Sequence, residues 1–123
     1  MLAGKVIVLL EDDELIRRAT ERMLLRFGAD VVTGTSSDEV LQTVAARNLT
    51  PNCVIADYWL SGRESGLDAT TALCTAYGGR PRGLIITGDL SQEVADQVAR
   101  AGFGLLRKPV DIDRFLYALK GVD

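Results

Sequence analysis

The 123-residue chain contains no histidine. That absence excludes a Ser/His/Asp triad, an imidazole-based metal site and the role of phosphohistidine carrier. Cysteine is scarce: Cys53 and Cys74 stand far apart in apolar segments, with no metal-ligand spacing. They read as buried, reduced core residues rather than a disulfide, which goes with a cytoplasmic setting. Long apolar runs are missing, so the sequence offers no membrane-spanning segment and no membrane contact. The first run, Val6 to Leu10, is too short for a signal peptide and is followed by acids. Blocks of Lys and Arg are also absent at a formal net charge of −3, which leaves no electrostatic footprint for nucleic acid.

What is present suits one domain over residues 1–123, with 47% hydrophobic and 25% charged residues. Short apolar runs alternate with amphipathic segments, without repeats or linkers. Val6 to Leu10 is a continuous β-branched and leucine run, the pattern of a strand buried on both faces. From about Glu14 to Phe27, Leu15, Ile16, Ala19, Met23, Leu24 and Phe27 fall at helical spacing, and Gly28 is a natural stop. Asp30 to Gly34 reads as a second strand. Ser36 and Glu39 form a capping-box pattern that opens a helix bearing Val40, Leu41 and Val44. Cys53 to Ala56 is a third strand that runs into Asp57, and Ala69 to Tyr77 is a third helix ended by Gly78-Gly79. Gly83 to Thr87 and Gly104 to Arg107 read as the fourth and fifth strands. Between them, Val94, Ala95, Val98 and Ala99 mark a helix with a thin apolar stripe. A last helix points Ile112, Phe115, Leu116 and Leu119 at the core. This alternation predicts an α/β fold, a doubly wound parallel sheet with helices on both sides.

In such sheets functional groups collect at the carboxyl ends of the strands. Strand one ends in Glu11-Asp12-Asp13, strand three in Asp57, strand four in Thr87 and strand five in Lys108-Pro109. Asp13 is best placed as a helix N-cap. The remaining acids repel one another unless a cation joins them. Hard oxygen ligands with room for water suit Mg²⁺ or Mn²⁺. Lys108 adds a fixed positive charge and Thr87 a hydroxyl. Together they can neutralise an arriving phosphoryl group while Asp57 attacks in line.

With these residues in place, the chain resembles a receiver domain of two-component response regulators from end to end. Val6 to Asp13, Val54 to Tyr58, Ile85 to Gly88 and Arg107 to Pro109 carry the resemblance. It implies a (βα)5 flavodoxin-like sheet of order 2-1-3-4-5 and two-component phosphorelay signalling. Asp57 then matches the phosphoacceptor. Glu11 and Asp12 match the acidic pair that serves the metal, with the backbone carbonyl of Trp59 as a further ligand. Thr87 matches the hydroxyl that turns toward the phosphoryl group, and Lys108 the lysine beside it. The implied donor is a phosphohistidine on a histidine kinase or a histidine phosphotransfer domain. Phosphorylation is expected to switch the surface around the fourth helix and fifth strand. Autodephosphorylation would reset it, with Gly88 leaving room for water and Trp59 screening it.

Two departures from the family pattern stand out. Receivers commonly carry an aromatic three residues before the lysine, where this chain has Leu105. Phe103 lies two residues away, on the same side of the strand. The loop Ser61 to Gly66 also replaces a common proline-containing turn and is about one residue longer. Phe103, Leu105 and the Ala/Val stripe of the fourth helix form either a partner patch or ordinary packing. Segments around Asp57 and Lys108 resemble receivers at the end of hybrid sensor histidine kinases, and the chain stops at Asp123 just past the last helix. An excised receiver and a free-standing regulator both fit, and oligomeric state is open. Rival functions are a metal-dependent aspartyl-phosphate phosphohydrolase and a degenerate receiver that only binds partners. The first is disfavoured because Trp59 stands where its general acid belongs. A nucleotide binder would need a phosphate loop where Glu11-Asp12-Asp13 stands.

Overall fold

A computed structural model describes residues 2–60, 62 and 64–120. Ser61 and Arg63 of the lengthened loop, and the chain end at Asp123, lie outside the described residues. The elements run β1 (Val6–Leu10), α1 (Glu14–Arg26), β2 (Asp30–Gly34), α2 (Ser37–Arg47), β3 (Cys53–Asp57), α3 (Gly66–Ala76), β4 (Arg82–Thr87), α4 (Gln92–Arg100), β5 (Gly104–Arg107) and α5 (Ile112–Ala118). All strand pairs are parallel, in the order β2-β1-β3-β4-β5. This is the expected doubly wound sheet. No helix among the described residues is long and apolar enough to cross a membrane.

The centre of the sheet follows from β1 and β3. Ile7, Val8, Leu9 and Leu10 are at most 3% exposed, as are Val54, Ile55 and Ala56. Full burial of one such aliphatic chain is worth about 1.5–3 kcal/mol, so these two strands anchor the domain. Their alternating side chains divide the core. Val8, Leu10, Val54, Ala56 and Ile85 face one cluster with α2, α3 and α4. Ile7, Leu9, Ile55 and Leu84 face a second cluster with Leu24 of α1 and Phe115 and Leu119 of α5. β4 begins at Arg82, one residue before the sequence pattern suggests, because Arg82 pairs with Cys53.

The helices start where their caps stand. Asp13 Oδ1 accepts the Ile16 amide at 3.0 Å, as the cap reading expects. Ser36 Oγ accepts the Glu39 amide at 3.2 Å, but Glu39 reaches the Thr35 amide, at 3.2 Å, rather than that of Ser36. The capping box is therefore closed one residue early. In α1 the helical spacing overstates the buried stripe. Only Leu24 is buried; Leu15 is 81% and Ile16 47% exposed. In α5, Ile112 likewise does not face the core and is 50% exposed, whereas Phe115 and Leu119 are buried. These three exposed residues lie in the first turns of the two helices, which stand above the strand ends.

Both cysteines are free and buried. Burial pushes the Cys53 thiol up to about 12 and also raises that of Cys74, so neither is a ready nucleophile.

Candidate functional site

The carboxyl ends of β1, β3, β4 and β5 bring Glu11, Asp12, Asp57, Thr87 and Lys108 to one edge of the sheet. The pleat decides which way each side chain points. Asp57 shares the face of Ile55, and it lines the same groove as Glu11 and Lys108 on the α1/α5 side. Thr87 shares the face of Ile85, on the α4 side, and is fully buried.

Lys108 Nζ donates to Asp57 Oδ2 at 2.6 Å. The other oxygen, Oδ1, accepts the Trp59 amide at 3.3 Å. The Asp57 side chain is 11% exposed and that of Lys108 39%. Burial disfavours the Lys108 ammonium, but the bond and charge of Asp57, with Glu11 and Asp12 beyond, overcome it and hold its pKa above the usual range. Glu11 is 6% exposed, and its Oε2 accepts the Asp13 amide at 3.2 Å. Burial raises the Glu11 carboxyl; the Asp13 amide opposes this, and the Asp57 charge adds to the rise. A buried carboxyl that resists ionisation beside two further acids is a donor set that fits a hard divalent cation. Among the described residues, no three acidic side chains yet converge closely enough to chelate one. The types therefore fit a metal, while Asp57 is held by lysine and a backbone amide.

Thr87 is occupied elsewhere. Its Oγ1 accepts the Asp89 amide at 3.0 Å, and Asp89 Oδ1 accepts the Ser91 amide at 2.8 Å. The Ser91 contacts hold the Asp89 carboxyl below the usual range. Ser91 Oγ in turn caps α4 through the Val94 amide at 3.3 Å. A short chain of bonds thus leads from Thr87 to the first turn of α4.

The backbone around Asp57 is closely fitted. The Tyr58 amide donates to Ile86 O and the Gly66 amide to Tyr58 O, each at 2.8 Å. A Cβ on Gly66 would stand 1.8 Å from the Asp57 carbonyl oxygen, so only glycine lets α3 begin here. Farther along the same loop, Glu64 accepts from the Ser37 amide at 2.6 Å and the Ser37 hydroxyl at 2.9 Å, which fastens the loop to α2. Gly88 is open: a Cβ there would meet only Lys108 Cβ, at 4.0 Å.

Below Asp57 and Lys108, a groove of about 680 Å³ runs between α1 and α5, lined by Ile16, Ala19, Met23, Ile86, Val110 and Ile112 among others. The sequence did not announce it, because its walls are the residues whose spacing suggested core. Phe103 does not replace the missing aromatic at 105. It packs over Gly83, at the opposite end of β4 from Thr87, where a Cβ on Gly83 would lie 2.4 Å from Phe103 Cδ1. Of the stripe of α4, Val94 and Val98 are buried and belong to ordinary packing, Ala95 is half-buried and Ala99 is exposed. Sequence reasoning missed Tyr58, which is 9% exposed and donates its hydroxyl to Gln97 Oε1 at 2.7 Å. The aromatic pair Tyr58-Trp59 after Asp57 was the only available signal.

A family model described as the response regulator receiver domain matches residues 7–120. The chain belongs to this family. Solved structures agree. Chemotaxis protein CheY4 of Vibrio cholerae is 22% identical, with a TM-score of 0.83 over 98% of this chain and 100% of that one. A receiver protein from Burkholderia phymatum is 28% identical, with a TM-score of 0.78 over 97% of this chain and 94% of its own. A response regulator from Burkholderia pseudomallei, solved with a phosphorylated aspartic acid, a calcium ion and citrate, is 28% identical; its TM-score is 0.81 over 96% of this chain and 68% of that one. The chain is thus a receiver domain of two-component signalling, a class that works by accepting a phosphoryl group.

Proposed function

We propose that Asp57 is the phosphoacceptor and that Thr87 and Lys108 complete its catalytic set. One observation carries this reading: the Asp57 carboxylate at the end of β3, held 2.6 Å from the Lys108 ammonium with Glu11 and Asp12 alongside. An Asp57 oxygen attacks the phosphorus of a phosphohistidine. The P–N bond breaks, the imidazole leaves and an acyl phosphate forms. Lys108 moves from the carboxylate to a phosphoryl oxygen, and the Thr87 hydroxyl turns from the Asp89 amide to another. Asp12, Asp57 and the Trp59 carbonyl would hold Mg²⁺ or Mn²⁺, with Glu11 acting through water. The cation would supply charge neutralisation for the transferring group. The phosphorylated aspartic acid and calcium ion of the Burkholderia pseudomallei regulator support this assignment.

The donor is a histidine kinase or histidine phosphotransfer domain in the cytoplasm, docking over the strand ends, where exposed Leu15, Ile16 and Ile112 offer an apolar landing. Trp59, 62% exposed at the mouth, screens the water that hydrolyses the acyl phosphate. Trp59→Ala should shorten the phosphate lifetime, and an unchanged lifetime removes that role.

Incubation with Mg²⁺ and acetyl phosphate, followed by intact-mass measurement, tests the whole reading. The native chain should gain one phosphoryl group and Asp57→Asn none. Labelling that survives in Asp57→Asn, or is absent from the native chain, overturns it. Fast turnover of varied phosphoesters instead identifies a hydrolase.

A further inference from the structure

Leu105 leaves this receiver without the usual aromatic beside Thr87, and Phe103 is at the wrong end of the strand to serve. We infer that Tyr58, the residue after Asp57, is the aromatic that carries a change at Asp57 to α4, through the hydrogen bond from its hydroxyl to Gln97. The reporter role rests on the reading of Asp57 as phosphoacceptor; the resting tether does not.

Three observations meet at Tyr58. Its backbone is bonded on both sides, to Ile86 O on β4 and from the Gly66 amide of α3. A displacement at Asp57 therefore moves the root of the ring rather than dissipating in a loop. The ring is buried in the cluster beneath α4 and meets the Trp59 ring in a T-shaped contact, 4.9 Å between centroids and 83° between planes. The hydroxyl donates to Gln97 at 2.7 Å, across 39 residues of sequence.

The receiving helix is thinly held. Of all the residues in α4, only Val94 and Val98 are buried. Its first turn is tied to Thr87 through Asp89 and Ser91. Its second turn is tied to Tyr58 through Gln97. The two tethers leave from neighbouring strand ends: Tyr58 and Thr87 both flank the Asp57 to Ile86 pairing. When Thr87 turns toward a phosphoryl group its tether opens. Tyr58 then decides whether the rest of α4 follows.

The test is amide hydrogen–deuterium exchange across α4, with and without Mg²⁺ and beryllofluoride as a phosphoryl mimic. The native chain, Tyr58→Phe and Gln97→Ala are compared; the Gln97 site is half-buried and tolerates truncation. At rest, each variant should exchange about 3- to 10-fold faster over residues 95–100, the effect of losing one hydrogen bond. The combined variant should be no faster than either single one. On loading, the native chain should show a further increase along all of α4. In the variants the increment should persist in the first turn, which Ser91 governs, and fall at least threefold beyond it. Tyr58→Phe should still take label on Asp57 from acetyl phosphate at the native rate. Label on native Asp57 with an unaltered α4 response in both variants overturns the reporter role alone. Absence of label on native Asp57 overturns the phosphoacceptor reading and the reporter role together. Resting exchange unchanged in both variants overturns the tether.

Discussion

The two faces of the sheet are covered differently. One carries α2, α3 and α4 over a continuous apolar cluster that takes in Tyr58. The other carries α1 and α5, which leave an open groove between them. Asp57, Glu11 and Lys108 point to the open face, while Thr87 and Tyr58 point to the covered one. The proposed chemistry on a phosphodonor needs access, and the open face offers it. Passing a change along a helix needs close packing, because packed interiors shift as units instead of yielding locally. One residue of difference in the pleat, Asp57 against Tyr58, puts the proposed acceptor and the proposed reporter on opposite sides.

The contrast can be broken in several ways. The largest effect is expected at the junction with the covered face. Gly66→Ala forces a methyl against the Asp57 carbonyl, with 1.8 Å available. It should cost about 3 kcal/mol in urea unfolding, and a loss below roughly 1 kcal/mol would show that α3 moves freely of β3.

On the open face, Lys108→Ala should slow labelling of Asp57 by acetyl phosphate about 100-fold, the scale of losing one preorganised charge donor. Its thermal midpoint should change little. A labelling rate within about threefold of native would mean that Lys108 only pairs with the resting carboxylate.

Glu11→Gln sharpens the same side. Without metal, burial holds the Glu11 carboxyl above the usual carboxylate range. The unfolded chain therefore ionises first as pH rises, and native stability falls from about the unfolded pKa up through the raised folded one. Removing the charge should raise the metal-free thermal midpoint at neutral pH. The advantage should vanish in acid, where the native carboxyl is already protonated. Mg²⁺ affinity should drop in the same variant. A destabilised Glu11→Gln would contradict the buried-charge account.

The smallest effect on the fold is expected at the groove rim. Leu15→Ser and Ile112→Ser alter residues that are 81% and 50% exposed, and stability should stay within about 0.5 kcal/mol of native. Transfer from a phosphohistidine protein should slow, while labelling by acetyl phosphate should not. Equal slowing with both donors would place the fault in the site itself.

Much of this was legible in the chain because short apolar runs set off by glycines and amphipathic segments mark strands, whether largely buried as in β1 or only half-buried as in β5. The runs at Val6 to Leu10, Asp30 to Gly34 and Gly104 to Arg107 become β1, β2 and β5 with those bounds. Strand ends followed at once, and with them Glu11, Asp12, Asp57, Thr87 and Lys108. Helix faces were less legible. Leu15, Ile16 and Ile112 repeat at helical spacing, but spacing records an apolar side without saying whether anything covers it. Local caps such as Asp13 and Ser36 could be read from the chain, but the partners of polar groups far apart in sequence could not. Nothing at position 58 announces a bond to Gln97, since the contact depends on how α4 lies across the sheet. Glu64 and Ser37 are the same kind of case, joined only because β3 brings its following loop to the head of α2.

Trp59 has a practical consequence. It is the chain's single tryptophan. Its side chain is exposed and forms a T-shaped contact with Tyr58, and its own amide touches the Asp57 carboxylate. The molecule therefore comes with one native indole, set beside the proposed phosphoacceptor and the proposed route to α4. Its emission can follow changes at both in unlabelled protein, in real time, without a background from any other indole.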